Sequence, residues 1–308
     1  MTSQGLLANR SSGNLIADRR FTYAEDLSAE GEHAAAVDLL EQTIDLVAGW
    51  APGWLALGRA REKAGDPSGA LAAFDRALAL DPSDGLGVSL DRARLLGVAP
   101  ETMPPAFVAA LFDQYADRFD AHLTGSLGYR GPAVILHALG RADPPASGLA
   151  EVLDLGCGTG LMARALAGQA GAIDGVDLSV GMIEQARATG LYRRLAVGDI
   201  GSVMIDLPDG SYDGVMAADL LVYLGAHEFV CREVARLLRR GGVFAFTVQR
   251  TEGTRYELGA DMRFSHSQSY IVGALAAAGL KPVLLEEVST RRDREADVPG
   301  LVVVARHA

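Results

Sequence analysis

A chain of 308 residues with 28 Lys and Arg against 39 Asp and Glu carries a formal charge of −11. That length favours two domains over one, and 49% hydrophobic against 22% charged residues is a globular composition, not a disordered one. The acidic balance argues against a nucleic-acid partner, which would reward basic surface, and two cysteines, Cys157 and Cys231, cannot build a disulfide framework.

The amino-terminal stretch MTSQGLLANRSSGN lacks the apolar centre of a signal peptide. The longest apolar run, Ile271 to Leu280, is about half of what a bilayer requires. A soluble, cytoplasmic protein with no membrane partner is the expectation.

In the segment APGWLALGRAREKAGDPSGALAAFDRALALDPSD, residues 51–84, Trp54, Leu57 and Gly58 fall on one predicted helix. Ala70 and Phe74 sit four apart on a second, and Pro82 closes the unit. A degenerate copy lies 34 residues earlier, with Tyr23, Ala24 and Leu27, then Ala36 and Leu40; Gly31 and Gly65 mark the same turn in each. The small residues let paired helices approach, and the large ones fill the seam between pairs. This stretch resembles tetratricopeptide repeats, although Arg61 stands where an aromatic is usual. The resemblance implies an all-α domain over residues 1–98, with repeats at 17–50 and 51–84. A capping helix at 86–96 would extend them, because two repeats fall short of the three or so that a stable stack needs. It also implies a protein partner or self-association through the repeats.

Pro100, Pro104 and Pro105 predict a linker near residues 98–105. Residues 106–140 read as helical, and RADPPASG makes a second break ending at Gly148. Short apolar runs then alternate with amphipathic stretches from EVLDLG to GGVFAFTVQ. Strands alternating with helices imply a mostly parallel sheet covered on both faces. No helix separates PVLLEEV from LVVVARH, which predicts an antiparallel hairpin at the end of the sheet.

The first of these strands runs into Asp154-Leu155-Gly156-Cys157-Gly158-Thr159-Gly160. Glycines permit the tight strand-to-helix turn and the close approach of backbone to a ligand. Such a turn alone is shared with dinucleotide enzymes. Here the spacing is Gly-x-Gly-x-Gly, and the preceding Asp154 suits a cationic ligand better than a pyrophosphate.

VLDLGCGTG resembles the cofactor loop of class I S-adenosylmethionine-dependent methyltransferases, and Asp177 and Asp199 stand in order beyond it, as that family's later acids do. The resemblance covers residues 106–308 and implies a Rossmann-like α/β domain: a mostly parallel seven-stranded sheet with a terminal antiparallel hairpin, and a helical lid at 106–140. It implies S-adenosylmethionine as cofactor, with S-adenosylhomocysteine as product. Asp154, Gly156, Cys157, Gly158, Thr159 and Gly160 would form the loop. Asp177, with Leu178 beside it, would accept the ribose hydroxyls; Met182 would pack on the adenine; Asp199 and Ile200 would read its amino group and ring; Ala218 would offer backbone to the methionine part. Tyr115 and Arg130 in the lid would close over the cofactor and hold its carboxylate. Plainer readings stand beside these for single residues: Asp154 as a helix cap, Asp177 as a turn former, Cys157 as packing filler.

Asp219 and Tyr223 follow the fourth strand and are candidates for substrate contact. His266 and Tyr270, in RFSHSQSY, are candidates for taking a proton from an oxygen or nitrogen acceptor, because a histidine titrates near neutral pH. The six histidines have no paired spacing, so metal independence is expected. Three functions remain: methylation of a small molecule, methylation of a protein or peptide recruited by the repeats, and a non-catalytic scaffold. The ordered acids and glycines weigh against the scaffold.

Overall fold

The computed structural model describes residues 11–114, 116, 128–142, 148–259, 261–293 and 296–308. The chain divides into two compact units, Met1–Ala110 and Leu111–Ala308.

The first unit is a run of helical hairpins: α1 (Leu15–Ala29), α2 (His33–Leu46), α3 (Ala51–Lys63), α4 (Pro67–Leu80) and α5 (Val88–Leu96). Asn14 caps α1 through its side chain, and Asp66 caps α4 ahead of a proline suited to a first turn. Gly31 and Gly65 turn the chain at φ +89° and +84°, a conformation that side chains resist. Phe21 meets Trp50 edge-on at 4.8 Å, and Leu40, Leu57 and Ala36 complete that seam. Ala70 and Phe74 are fully buried in the next seam. Arg61, the departure from the repeat pattern, bridges helices instead of packing a ring: it donates to Glu41 at 2.7 Å and to the carbonyl of Gly69 at 3.1 Å.

Gly58 is a packing requirement. A Cβ added there would stand 2.3 Å from the Phe74 ring. Gly58→Ala is expected to destabilise the repeat unit by about 1–3 kcal/mol through overpacking, read as a lowered denaturation midpoint; an unchanged midpoint would refute the close approach.

The proline-punctuated stretch is not an exposed tether. Met103 and Phe107 are 2% and 5% exposed, and the Phe107 ring lies where a side chain on Gly87 would be. Helix α6 (Pro105–Asp113) crosses the division between the units.

The second unit holds α7 (Gly131–Arg141), α8 (Leu161–Leu166), α9 (Val180–Ala188), α10 (Ile200–Ile205), α11 (Glu228–Leu237) and α12 (Gln268–Ala277). Its main strands are β1 (Leu149–Leu155), β2 (Ala170–Asp177), β3 (Arg194–Val197), β4 (Tyr212–Ala217), β5 (Leu238–Arg250), β8 (Leu280–Val288) and β11 (Gly300–His307). They lie in the order β3-β2-β1-β4-β5-β11-β8. The first five are mutually parallel, and β11 runs antiparallel between β5 and β8. Short strands β6 (Tyr256–Leu258) and β7 (Phe264–His266) attach at the end of β5. A small hairpin, β9 (Arg292–Asp293) with β10 (Ala296–Asp297), stands apart. This is the Rossmann-like sheet with its antiparallel end.

Alternate strand residues feed two cores. Leu153, Leu155, Phe244 and Phe246 face α11 and α12, while Val152, Val243 and Ala245 face α7 and α8. Every residue of β4 is buried, as expected of a central parallel strand. Among the described residues no helix is long and apolar enough to cross a membrane.

Candidate functional site

At the carboxyl ends of β1, β2 and β4, where open α/β sheets receive ligands, the glycine turn follows β1. Gly156, Gly158 and Gly160 all hold positive φ, at +64°, +53° and +92°. A Cβ on Gly156 would stand 2.8 Å from Leu220. Asp177, the last residue of β2, accepts the Gly158 N–H at 2.8 Å and the Ser179 N–H at 2.9 Å. Burial pushes its carboxyl above the usual range, and those two N–H groups offset part of the rise. Cys157 and Thr159 are 5% and 3% exposed. The Cys157 side chain packs with Ile183 and Ala186. Burial drives its thiol far above its ordinary pKa, which makes it a filler and not a nucleophile.

Asp154 is 1% exposed and accepts the Tyr192 hydroxyl at 2.7 Å. Burial pushes its pKa up to about 7, against the opposing pull of that hydrogen bond. Asp199 caps α10, accepting the N–H groups of Gly201 and Ser202 at 3.0 and 3.3 Å. Leu178 is half-buried, whereas Ile200 and Met182 are 7% and 1% exposed. The Met182 side chain thus sits in the core rather than on an open surface.

Asp113, at the end of α6, was not singled out by its sequence context. It accepts the Ser179 hydroxyl at 2.5 Å and the Gly181 N–H at 3.1 Å, adding a second acidic cap to α9 directly after Asp177. Asp113→Ala removes both bonds and is expected to cost about 1–2 kcal/mol of stability. Urea unfolding of the variant checks this; a wild-type midpoint would show that the tie contributes nothing.

Beyond β4, Ala218 is half-buried and Asp219 adopts φ +59°, unusual for a residue other than glycine. Its N–H donates to the Thr247 hydroxyl at 3.0 Å. Its carboxylate receives Arg263 Nη1 and the Thr290 hydroxyl, both at 3.3 Å. Tyr223 is 8% exposed, with Phe112 edge-on at 5.5 Å and the Arg263 guanidinium over its face. Tyr129 belongs to the same cluster: burial raises its phenol far above normal, and the charges of Asp219, Arg263 and Asp154 act on it in turn. The structure therefore brings Asp219 and Tyr223 together and adds Tyr129, Arg263 and Thr290.

His266 and Tyr270 are not delivered to that cluster as free groups. His266 is fully buried, with Nε2 2.9 Å from the Leu224 carbonyl and 3.2 Å from that of Gly225. His227, stacked on it at 4.1 Å, directs its own Nε2 at the Leu221 and Leu224 carbonyls. Carbonyls only accept, so both rings carry their proton on Nε2. Burial holds His227 down to about 4 and His266 down to about 3, the latter assisted by its neighbour. The general-base expectation for His266 gives way to a structural one: the two rings clamp the turn that carries Tyr223. Tyr270 donates to Glu228 at 2.8 Å and accepts the His227 N–H at 2.7 Å, which occupies its hydroxyl at the start of α11.

Arg130 is engaged away from the glycine turn. Its Nε donates to the Ser289 carbonyl at 2.7 Å, and its side chain, 54% exposed, lies 3.9 Å from Asp297. That engagement corrects the cofactor-carboxylate role expected of it. Tyr115 lies outside the described residues. Among the described residues no cluster of three His, Cys, Asp or Glu side chains has metal-binding geometry.

Residues 153–246 match the family model for a methyltransferase domain, and residues 51–95 match that for a tetratricopeptide repeat. Residues 153–246 are a methyltransferase domain. Methyltransferase-like protein 27 of Homo sapiens is 37% identical over 111 residues, 36% of this chain and 45% of that protein. Ubiquinone biosynthesis O-methyltransferase of Xylella fastidiosa (strain 9a5c) is 34% identical over 150 residues, 44% of this chain and 59% of that protein. The chain spans about half the length of these curated relatives.

Two solved structures share the fold of the methyltransferase domain. The [4+2]-cyclase SpnF aligns with a TM-score of 0.53 at 22% identity, covering 68% of this chain and 97% of its own. The 1,6-didemethyltoxoflavin-N1-methyltransferase of Burkholderia thailandensis, solved with 1,6-didemethyltoxoflavin and S-adenosylhomocysteine, aligns at 0.51 and 21%, covering 68% and 92%. The glycine turn, Asp177 and Asp219 all fall within the matched segment; Asp113, Tyr129 and Arg263 lie outside it.

Proposed function

We propose that this chain is an S-adenosylmethionine-dependent methyltransferase that modifies a small-molecule acceptor without a metal. The observation that carries the reading is Asp177: a carboxylate at the end of β2, bonded to Gly158 of the glycine turn and standing within a matched methyltransferase domain. The residues fit the cofactor. Gly156 leaves no room for a side chain where a ligand would pass the backbone, and Asp154, pushed up to about 7 by burial, would ionise fully beside a cation.

When bound, S-adenosylmethionine supplies a sulfonium-activated methyl group. Asp177 would hold the ribose hydroxyls, with Leu178 beside them and Asp199 and Ile200 toward the adenine. Gly156 to Gly160 and Ala218 would lie along the methionine part through their backbones. Asp219 and Tyr223 would orient the acceptor, and Tyr129 would separate it from water. The protein's contribution is orientation and exclusion of water. An oxygen or nitrogen acceptor fits, and no proton acceptor is assigned to His266 or Tyr270.

The name of the Xylella relative supports a small acceptor, since ubiquinone biosynthesis works on small molecules. The tetratricopeptide unit is the part suited to a protein partner or to self-association; residues 1–98 as that domain and 106–308 as the catalytic one remain part of this proposal. Incubation of the full chain with methyl-labelled S-adenosylmethionine and a cell extract tests it. Label in the small-molecule fraction is expected; label confined to protein would transfer the function to a recruited polypeptide.

A further inference from the structure

Several arginines elsewhere in this protein are multiply paired while staying partly exposed. Arg94 meets Glu62 through both terminal nitrogens, at 2.5 and 2.7 Å, with its side chain 56% exposed. Arg193 grips Asp174 through Nε and Nη2, at 2.9 and 2.7 Å, and is 41% exposed. Arg236 donates to Glu233, Asp209 and the carbonyls of Leu207 and Met204.

Arg263 and Arg291 reverse this pattern. Their side chains are only 15% and 9% exposed, yet among the described residues each makes one single-point carboxylate contact. Arg263 Nη1 reaches Asp219 at 3.3 Å, and Arg291 Nη2 reaches Asp261 at 3.0 Å. Asp261 shares that same oxygen with Gln249. Thr290, the residue before Arg291, donates to the same Asp219 carboxylate that Arg263 reaches, and the charge of Arg263 adds to burial in lowering the pKa of Arg291. A guanidinium offers five N–H donors in a planar fork, so among the described residues one carboxylate contact apiece, with a further bond between Arg263 and the Tyr223 hydroxyl, leaves donors over. Two like charges buried side by side are costly unless well paired, and apolar side chains of similar volume would stabilise a fold at least as well. Stability alone gives no reason for this arrangement.

Its position supplies one. Asp219 lies two residues past the end of β4, and the Arg263 guanidinium lies 5.6 Å from the centre of the Tyr223 ring. The charges of Asp219, Arg263 and Asp154 all act on Tyr129. We infer that the acceptor carries an anionic oxygen group, a carboxylate or a phosphate, received by Arg263 and Arg291, and that it is methylated at a different atom facing Asp219 and Tyr223. A planar guanidinium pair matches either group through parallel N–H···O bonds. Asp219 and Asp261 would hold the two cations in the acceptor's absence. This inference rests on the methyltransferase reading and narrows its substrate class.

The test starts from the small-molecule fraction labelled by the full-length protein from methyl-labelled S-adenosylmethionine and cell extract. The labelled product is passed over an anion exchanger near neutral pH, where the unreacted sulfonium donor is not retained. Retention is expected, and phosphatase treatment separates the sources: a product still retained carries a carboxylate, and one released carried a phosphate. Arg263→Met and Arg291→Gln are each expected to cut incorporation about tenfold or more, as loss of a charged hydrogen bond implies, while S-adenosylhomocysteine affinity stays within about twofold. Arg291→Gln serves where Arg263→Met does not fold. A labelled product that flows through, or variants that label at the wild-type rate, would overturn the inference and leave the methyltransferase reading standing. Absence of label from every small molecule would remove the small-molecule acceptor and the inference with it.

Discussion

Asp177→Ala is expected to abolish measurable cofactor binding at micromolar concentrations. Each charge-assisted hydrogen bond from a ribose hydroxyl is worth roughly 1.5–3 kcal/mol, so losing two weakens affinity by about a hundredfold or more. The substitution acts a second time through the turn, because Asp177 also receives the Gly158 and Ser179 N–H groups. Asp177→Asn separates the contributions: it keeps a carbonyl acceptor for the backbone but loses the charge, and should fall between wild type and alanine. Equilibrium dialysis with labelled S-adenosylmethionine measures all three. Wild-type affinity in the alanine variant would remove the ribose role.

Acid is expected to destabilise the second unit through its buried histidine pair. Burial holds His227 down to about 4 and His266 down to about 3 in the folded chain, against 6.5 for an exposed imidazole. Between those values the unfolded chain binds protons that the folded chain refuses, so stability falls as pH drops below 6.5 and levels off only below the folded values. At about 1.4 kcal/mol for each pH unit between the folded and unfolded values, the loss is on the order of 3 kcal/mol per ring by pH 4. Asp154 acts in the opposite direction. With a folded value of about 7 against 3.8, its contribution is full below 3.8 and disappears as pH rises through 7. The histidine effect is therefore isolated by comparison with His227→Gln/His266→Gln, whose amides place a non-titrating donor near each Nε2–H. At pH 7 wild type should be the more stable of the two. The gap should shrink or reverse by pH 4 in urea denaturation, and a constant gap would refute neutral burial.

These two expectations differ in how much of each could be read in advance. Asp177 was legible because its chemistry is local: a glycine turn, then an acid closing the next strand 21 residues past Gly156. The repeat helices were legible for the same reason, since the turns at Gly31 and Gly65 recur at a fixed period and the small–large pair Ala24 and Leu40 is matched by Gly58 and Phe74. The antiparallel end of the sheet followed from two strand patterns with no helix between them.

The proton-taking role expected of His266 fails because burial is not local. RFSHSQSY looks like a polar loop, yet His266 pairs in β7 and is covered by His227, 39 positions earlier. Asp113 reaches the start of α9 across 66 residues, and Arg291 reaches Asp261 only after β7, α12 and β8 fold back. Arg130, promising as a cation beside an aromatic, is instead occupied by the carbonyl of Ser289, a partner that no spacing rule signals. Side-chain identity showed which groups could do chemistry; only the sheet order showed which of them meet.

The central claim is that the cleft beyond β1, β2 and β4 binds S-adenosylmethionine. Calorimetric titration of the full-length chain with S-adenosylhomocysteine, the unreactive product, tests it most directly. The methyltransferase reading predicts saturable binding at a single site per chain that Asp177→Ala eliminates. Absence of saturable binding by folded wild-type protein would contradict it.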